Sequence, residues 1–458
     1  MQMTTALAHR GPDGEGFWIS DNARVGFGHR RLSIIDLTQS ASQPMSFANG
    51  RLMITFNGEI YNYIELRNQL LKLGYQFKSD SDTEVLLALY HLKGEKCLQD
   101  LEGMFAFAIW DEEQQKLFCA RDRFGEKPFF IYKDGAQFIF ASEIKALFAF
   151  GIKRDVNQNN LFNFISLKHT YEPYNRSATF YNQIEKLEAA HYLIVDSNGK
   201  ISKTKYWDID VDKQQNISFD DACKTFTELF TSSLLKRLRS DVPIGSSLSG
   251  GLDSSVIVCL IDALNKGHLQ QSTFSARFKN FEKDEGYFMQ QVIDKTNVDP
   301  HFIFPDEDTF LDSFERMTYH MEEPFGSASV MAQYAVMELA KKNMITVLLD
   351  GQGADESLAG YNYMYYYFFL DQARYNRSNL KSELAAYRAL FNTDFVRGKL
   401  FNLYAMIPSF YNMAIRYKQK QEALSNDFVN KDFAAYCGKN HFEYNQGIAN
   451  KFNHNLSG

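Results

Sequence analysis

A glycine- and serine-rich segment near the middle of the chain has the composition of a phosphate-binding loop. It runs from Ser249 to Ser255 with the sequence SGGLDSS, between a predicted strand and a predicted helix. In that position backbone N–H groups and the helix dipole can hold an anion, and glycines let the backbone approach it. A turn without a ligand is the simpler alternative, but the placement favours phosphate binding. No GKS or GKT follows, which disfavours a kinase-type P-loop.

A second candidate loop follows another predicted strand later in the chain. It reads LLDGQGADE over residues 348–356 and precedes an Ala-Gly-Tyr triplet. Considered alone, an acidic turn of this kind is most simply a solvated surface turn. Two loops at adjoining strand ends, however, form one crevice. The two loops together therefore predict one nucleotide site.

The first loop resembles that of the PP-loop ATP pyrophosphatases, and the second is similar to the asparagine synthetase segment at the equivalent place. The resemblance implies that the first loop grips the β- and γ-phosphates while the α-phosphate is attacked, which gives an adenylate and pyrophosphate. It implies ATP and Mg²⁺, with Asp253 and Asp355 as metal ligands. The nucleotide-binding residues that it implies are Leu248, Ser249, Gly250, Gly251, Asp253, Ser254, Ser255, Ala276, Asp350 and Gly351.

Five short motifs precede these loops, in the order seen in class II glutamine amidotransferase domains, which they resemble. They are HRGPD from His9, RLSIID from Arg31, NGEIYN from Asn57, SDTE from Ser81 and GMFAFA from Gly103. Amide hydrolysis needs donors at the developing oxyanion, which Asn57 and the backbone N–H of Gly58 would supply. Arg31 would grip the α-carboxylate of glutamine, and Glu59 and Asp82 its α-ammonium. Singly, Arg31 or Asp82 would be an ordinary surface or capping residue, but the ordered set favours a glutamine site.

The chain departs from the family pattern at both ends. The family's nucleophile is a cysteine at the processed N-terminus, whose amine serves as its base. This chain begins Met1-Gln2, and its first cysteine is Cys97. We therefore expect Met1 to be an internal methionine and the fragment to lack glutaminase activity. The family's C-terminal Arg/Asp element and lysine are also not found before Gly458.

The hypothesis for the intact protein is ATP-dependent synthesis of asparagine from aspartate, with ammonia from glutamine attacking a β-aspartyl adenylate. Gln352 stands where many family members carry a carboxylate, and glutamine cannot take a proton at neutral pH. Asp350 stands where some relatives have serine. Two alternatives therefore stay open: an amidotransferase-like ligase acting on a different carboxylate, and a non-catalytic binding or assembly protein.

The amidotransferase motifs lie among short segments in which apolar and polar residues alternate, such as the one with Leu52, Ile54 and Phe56 on one face. This alternation predicts half-buried, antiparallel strands. Helices are predicted over 63–73 and 83–92, the second with Asp82 in an N-cap-like position, and a strand over 191–195. A polar stretch then places the domain boundary near residue 210. The resemblance implies an α+β four-layer αββα fold of N-terminal-nucleophile-hydrolase type for residues 1–210.

After the boundary, helical and strand patterns alternate, which predicts a parallel sheet in residues 211–458. Predicted helices are 222–238, 254–264, 287–295 and 331–342, and predicted strands are 242–248, 271–278, 301–304 and 345–349. From residue 361 onward the pattern is helical and aromatic. The resemblance identifies this part as an α/β PP-loop ATP-pyrophosphatase domain.

The composition points to small-molecule substrates. The 49 Lys and Arg against 56 Asp and Glu give a net charge of −7, which would repel nucleic acid or an anionic membrane. The five cysteines lack CxxC or Cys/His ligand spacing, so neither zinc nor a disulfide framework is indicated. No apolar run reaches membrane-spanning length. We expect a cytoplasmic enzyme that uses glutamine, aspartate and ATP, with a homodimer left open.

Overall fold

The computed structural model describes residues 1–135, 137–172, 175–211, 213, 215–265, 270–279, 281–282, 284–395, 401, 417–418 and 429–437. The chain divides into two compact units: the first comprises Met1–Asn157 and Thr170–Leu349, the second Gln158–His169 and Asp350–Gly458. The first unit contains both the amidotransferase motifs and the first phosphate-loop candidate. We name residues 1–207 the N-terminal region and residues 219–349 the parallel-sheet region.

The N-terminal region is built from antiparallel strands. They are β1 (Gly14–Ile19), β2 (Gly26–Arg31), β3 (Met45–Phe47), β4 (Leu52–Ile60), β5 (Gly103–Asp111), β6 (Lys116–Arg121), β7 (Phe130–Lys133), β8 (Phe138–Ala141), β9 (Ile184–Lys186), β10 (His191–Val195) and β11 (Ile201–Lys205). The largest sheet has the order β11-β10-β6-β5-β4-β3, beside the smaller sheets β1-β2 and β8-β7-β9. The predicted antiparallel strands, including 191–195, are confirmed.

Four helices of the N-terminal region belong to the first unit: α1 (Gln2–Ala6), α2 (Tyr63–Lys72), α3 (Asp82–Lys93) and α4 (Ile144–Phe150). Leu70 of α2 and Leu86 of α3 pack with Phe107 and Phe118 of the largest sheet in one buried core. A second core lies on the other face of the same sheet. There, the intervening residues of β4, β5 and β6 pack against side chains of β2 and β7. Burial on both faces explains the near-continuous apolar character of β5. The four-layer order stays a prediction.

The predicted N-cap role of Asp82 is wrong. The helix begins at Asp82 itself, and Ser81 is the N-cap residue, whose hydroxyl accepts from the N–H of Thr83 at 3.1 Å. The Asp82 carboxylate is buried and instead accepts from the N–H of Ile60 at 2.9 Å. Because serine is as good a cap as aspartate, the capping preference alone could not choose between the two neighbours.

The parallel-sheet region contains four strands: β12 (Ile244–Ser247), β13 (Gln271–Ala276), β14 (Val298–Ile303) and β15 (Val347–Leu349). All are parallel, in the order β14-β13-β12-β15, which confirms the predicted parallel sheet. The helices are α6 (Phe219–Arg237), α7 (Leu252–Asn265), α8 (Gly286–Ile293), α9 (Glu307–Met321) and α10 (Ser329–Lys342). Helix α9 was not predicted from the sequence.

All regular elements that the structure describes in the second unit are helices. Its helices are α5 (Gln158–Leu167), α11 (Ala354–Leu358), α12 (Asn362–Tyr375) and α13 (Leu380–Phe391). Phe369 and Leu370 of α12 pack with Leu380 of α13 and with Phe401. The helical, aromatic pattern predicted beyond residue 361 is confirmed over the described part. Among all described helices of the chain, none has the length and apolarity needed to cross a membrane.

Candidate active site

A cavity of about 1040 Å³ opens in the first unit, and it gathers all the residues predicted to bind glutamine. Strand β2 ends at Arg31, β4 carries residues 57–59, and α3 begins at Asp82. These elements bring together Arg31, Asn57, Gly58, Glu59 and Asp82. Convergent polar groups in one concave site are the usual form of a small-molecule site.

Asn57 and Gly58 lie on β4 where it pairs with β5. The register pairs Gly58 with Phe105, and a Cβ atom at Gly58 would lie 2.1 Å from the carbonyl oxygen of Met104. Any larger residue would therefore push the strands apart. The Asn57 amide nitrogen is buried and, among the described residues, has no hydrogen-bond partner. A buried donor of this kind is what a ligand oxygen would satisfy.

Two carboxyl groups, those of Glu59 and Asp82, face the same cavity. Burial and then the neighbouring Asp82 raise the pKa of Glu59 to about 7, while Lys127 and Arg237 oppose that shift. Burial also raises the pKa of Asp82 to about 6, although backbone N–H groups favour its charged form. One oxygen of Glu59 has no partner within the described parts of the chain. An ammonium group bound beside this pair would restore its ionised form.

Arg31 is held by the loop that follows it. Its guanidinium donates to the carbonyl oxygen of Thr38 at 2.8 Å and to that of Asp36. Burial lowers the pKa of Arg31, and the carboxylates of Asp36 and Asp13 act against this. The loop therefore fixes the orientation of the predicted carboxylate-binding group.

Lys127 and His29 also line the cavity, and the sequence did not single them out. The loop before Lys127 is organised by Asp122, whose carboxylate accepts from the N–H groups of Phe105, Phe124, Glu126 and Lys127 at 2.9–3.2 Å. Burial lowers the pKa of Lys127 and lowers that of His29 to about 4. The DRFGEK sequence from residue 122 was the available signal, since an Asp-to-Gly turn next to a lysine marks an organised loop.

All residues of strands β2 and β8 line the cavity wall. Among the described strands, β2 pairs only with β1 and β8 only with β7, so each has an unpaired edge. No cysteine belongs to the lining. Cys97 and Cys119 are buried in the cores, where burial raises their pKa above the usual range.

The predicted phosphate loop connects β12 to the N-terminus of α7. Gly250 adopts φ +87°, and a Cβ atom there would lie 2.7 Å from the carbonyl oxygen of Glu285. The hydroxyls of Ser249 and Ser254 are 2.9 Å apart, and that of Ser255 donates to the carbonyl of Gly251 at 2.7 Å. The loop is thus preformed at a helix N-terminus, a position suited to an anion.

The carboxyl edge of the parallel sheet collects the other predicted nucleotide residues of the first unit. Leu248 is fully buried, its N–H donates to the carbonyl of Phe274 at 3.0 Å, and Ala276 ends β13. In the parallel pair, Ser246 of β12 is level with Leu349 of β15. Asp350 and Gly351 follow β15 directly in the chain.

Asp253 is a partly buried residue in the first turn of α7, and its carboxylate is the kind of oxygen ligand that Mg²⁺ takes beside phosphate. Asp355 lies in α11 of the second unit, and its backbone carbonyl accepts from the N–H of Gly360 at 2.9 Å. The described residues contain no group of three His, Cys, Asp or Glu side chains that could hold a metal by themselves. The shared Mg²⁺ site of Asp253 and Asp355 stays a prediction.

Two family models match the chain. Residues 1–207 match a glutamine amidotransferase domain, and residues 225–435 match asparagine synthase. The first match covers the five cavity residues predicted for the glutamine site, and the second covers the phosphate loop.

Individual proteins give the same picture. The chain is 35% identical over 388 residues to a Methanocaldococcus jannaschii protein provisionally named asparagine synthetase [glutamine-hydrolyzing] 2, covering 79% of this chain and 72% of that one. It is 36% identical to asparagine synthetase [glutamine-hydrolyzing] 1 of Bacillus subtilis, covering 79% of this chain and 55% of that one. It is 33% identical to the amidase chry2 of Gibberella zeae, covering 78% of this chain and 54% of that one.

The chain thus spans little more than half the length of the Bacillus and Gibberella relatives. Similarity nevertheless extends over both matched domains and over nearly three quarters of the archaeal protein. The chain belongs to the family of glutamine-hydrolysing asparagine synthetases.

Proposed function

We propose that this protein makes asparagine from aspartate in an ATP-dependent reaction, with glutamine as the source of ammonia. The observation that carries the proposal is the convergence of Arg31, Asn57, Gly58, Glu59 and Asp82 on one cavity. The same unit holds a preformed glycine-serine loop at a helix N-terminus. One chain thus combines a site suited to an amino-acid amide with a site suited to phosphate.

In the cavity, glutamine is held at both of its ends. Arg31 binds the α-carboxylate, while Glu59 and Asp82 accept hydrogen bonds from the α-ammonium. At the amide end, the side-chain nitrogen of Asn57 and the N–H of Gly58 donate to the carbonyl oxygen as it becomes an oxyanion. This use of Asn57 is supported by its buried nitrogen, which lacks a partner within the described residues.

The nucleophile is the part that the cavity lining does not supply. Since no cysteine is among the described lining residues, we expect these 458 residues alone to bind glutamine without hydrolysing it. In the experiments below, the full-length or parent protein means a chain that contains these residues together with the nucleophile. The unpaired edges of β2 and β8 offer backbone groups to an extended segment, which is the ordinary way in which a strand is added to a sheet. A nucleophile carried on such a segment would lie in the cavity beside the proposed oxyanion donors.

In the nucleotide site, the loop Ser249–Ser255 binds the β- and γ-phosphates through backbone N–H groups and serine hydroxyls. Mg²⁺ held by Asp253 and Asp355 would balance the phosphate charge. The β-carboxylate of aspartate attacks the α-phosphorus, and the bond to pyrophosphate breaks. Ammonia then attacks the β-carbonyl of the adenylate, which releases asparagine and AMP.

Ammonia needs a route between the two chemistries, and the cavity supports an internal one. Its lining continues from the glutamine residues to α9 and α10 of the parallel-sheet region. The side chains there are Arg316, His320, Tyr334, Met337, Glu338 and Lys341.

The domain boundary near residue 210, a cytoplasmic location and a homodimer stay predictions.

Pyrophosphate release by the full-length protein tests the proposal against a panel of carboxylates. We expect aspartate to stimulate release from ATP, with glutamine or ammonium converting the carboxylate to its amide. Closely related acids such as glutamate and malonate are the matched controls. Absence of stimulation by aspartate would overturn the proposed substrate.

A ligase for a different carboxylate is the second candidate. It is favoured by Gln352, which cannot act as a proton acceptor at neutral pH. The similarity to a fungal protein named an amidase also leaves the acceptor open. The same panel separates the candidates, because this one predicts release with another carboxylate and none with aspartate.

A further inference from the structure

The segment that joins α6 to β12 crosses to the N-terminal region and contacts the loop that orients Arg31. We propose that Asp241, in this segment, is a positioning residue for glutamine: the parallel-sheet region completes the glutamine site through it. The inference rests on the proposed function, since it concerns how the same cavity binds its substrate. It adds a specific residue from outside the amidotransferase motifs.

Asp241 makes two hydrogen bonds to the backbone of the loop 32–38. Its carboxylate accepts from the N–H of Asp36 at 2.7 Å, and its own N–H donates to the carbonyl of Ile34 at 2.9 Å. Asp36 adopts φ +54°, a left-handed conformation that costs a non-glycine residue free energy. Asp241 therefore supports the loop at a position that is strained by itself.

The loop extends this support towards the groups proposed to bind the carboxylate and the ammonium at the α-carbon end of glutamine. The carbonyls of Asp36 and Thr38 accept from the Arg31 guanidinium. The Asp36 carboxylate accepts from the Thr38 hydroxyl at 2.6 Å and from the N–H of Asp80 at 2.8 Å. Asp80 is two residues before Asp82. Hydrogen bonds thus connect Asp241 through Asp36 to Arg31, the group proposed to bind the carboxylate, and to the backbone two residues before Asp82.

A second contact fixes the same segment to the end of β4. The Arg239 guanidinium donates to both Glu65 oxygens at 2.6 Å and to the carbonyl of Tyr61 at 2.8 Å. The Arg237 guanidinium lies 4.5 Å from the centre of the Tyr61 ring. Tyr61 follows the strand that carries Asn57. The segment is therefore attached to the N-terminal region both at the loop that follows Arg31 and at the end of the strand that carries Glu59.

Asp241 lies just before the strand that leads to the phosphate loop. The Ser240 hydroxyl bonds with the N–H and the carbonyl of Val242 at 3.0–3.1 Å, which stiffens the turn before β12. Strand β12 then leads directly to the phosphate loop. A short connection, stiffened by the hydrogen bonds of Ser240, thus joins the loop proposed to hold ATP to the loop that orients Arg31.

The test measures glutamine hydrolysis by the full-length protein at several glutamine concentrations. We expect Asp241→Ala to raise the KM for glutamine roughly tenfold, with a smaller change in kcat, because the orientation of Arg31 loses its support. Asp241→Asn keeps an acceptor oxygen for the N–H of Asp36 and should stay within about threefold of the parent protein. Synthesis supported by ammonium salts, which bypasses glutamine, should not change in either variant.

Lys236→Met is the matched control. Lys236 also crosses to the N-terminal region, where it pairs with Glu102, but it does not contact the loop 32–38. We expect its KM for glutamine to be that of the parent protein. An unchanged KM in Asp241→Ala would overturn the inference, as would an equal loss of ammonium-supported synthesis, which indicates general misfolding. If the parent protein hydrolyses no glutamine, the proposed function itself fails and the inference fails with it.

Discussion

The amide nitrogen of Asn57 offers the sharpest test at the scale of single residues. It is buried in the cavity and has no partner among the residues that the structure describes. We predict that Asn57→Ala lowers the kcat for glutamine hydrolysis about 100- to 1000-fold, because one oxyanion donor is lost. Steady-state hydrolysis by the full-length protein measures this, and ammonium-supported synthesis by the same variant is the control. A variant that loses only affinity for glutamine would contradict the assigned role.

The pKa values of Glu59 and Asp82 predict how glutamine binding depends on pH. Glu59, with a pKa raised to about 7, and Asp82, with a pKa raised to about 6, accept from an ammonium only when ionised. Affinity should therefore fall as the pH drops below 7, by up to about tenfold per pH unit. Glu59→Gln should bind glutamine more weakly at neutral pH and show a flatter profile. Calorimetric titrations over this pH range check the sign, and a parent profile without slope would contradict it.

The cavity residues that belong to a short sequence motif could be predicted from the sequence. Asn57, Gly58 and Glu59 are consecutive, and their grouping points to an oxyanion site and an ammonium acceptor. Lys127 could not be found in this way, because its place in the cavity depends on the loop that Asp122 organises. The capping role of Asp82 was wrong because the adjacent serine satisfies the helix start equally well.

At the scale of elements, the phosphate loop depends on the conformation of Gly250. Its φ of +87° and the carbonyl of Glu285, 2.7 Å from a Cβ atom placed there, leave no room for a side chain. We predict that Gly250→Ala lowers ATP-dependent pyrophosphate release at least tenfold and costs about 1–2 kcal/mol of stability.

Gly199→Ala is the control for this prediction. Gly199 has a similar φ of +77°, but no atom of the described residues lies within 4 Å of a Cβ atom placed there, and it belongs to the turn between β10 and β11. A similar loss of stability with full pyrophosphate release is expected. Equal activity losses in both variants would show that the effect is general strain rather than damage to the nucleotide site.

Most elements of the parallel-sheet region could be predicted within a few residues, because buried strands and helices alternate regularly. Helix α9 is the exception, although its apolar residues Phe310, Phe314, Met317 and Met321 recur at helical spacing. The signal for this helix was therefore present in the sequence, and Leu311, which is 69% exposed, is the apolar residue that does not follow it.

At the scale of the whole first unit, a buried charge network joins the N-terminal region to α9. Lys145 pairs with Glu143 at 2.6 Å and with Glu322 at 3.0 Å, and all three side chains are at most 8% exposed. We predict that Lys145→Met lowers the stability by about 3–5 kcal/mol, because the buried Glu322 loses its counter-charge and Glu143 is left with Arg10 and His9. Denaturant unfolding monitored by tryptophan fluorescence measures the change.

Lys133→Met provides the comparison for that experiment. Lys133 pairs with Glu185 at 3.2 Å, and both side chains are about half exposed. Its loss should cost less than about 1 kcal/mol. If the two variants unfold alike, the buried network does not hold the regions together.

These contacts between regions could not be predicted from the sequence. Lys145 and Glu322 are 177 positions apart, and each is locally an ordinary charged residue. Their pairing depends on how two separately folded sheets meet, which no hydrophobic period or turn motif encodes. The same holds for the extension of the cavity to α10, where Tyr334 and Met337 form part of the lining.

Transfer of isotope from glutamine to product tests the central claim most directly. The full-length protein would be supplied with ATP, Mg²⁺, aspartate and glutamine labelled with ¹⁵N at the amide. We predict that the label appears in the side-chain amide of asparagine, in equal amounts with AMP, even when unlabelled ammonium is present outside. Label that appears only as free ammonium, or AMP formation that does not depend on aspartate, would contradict the account.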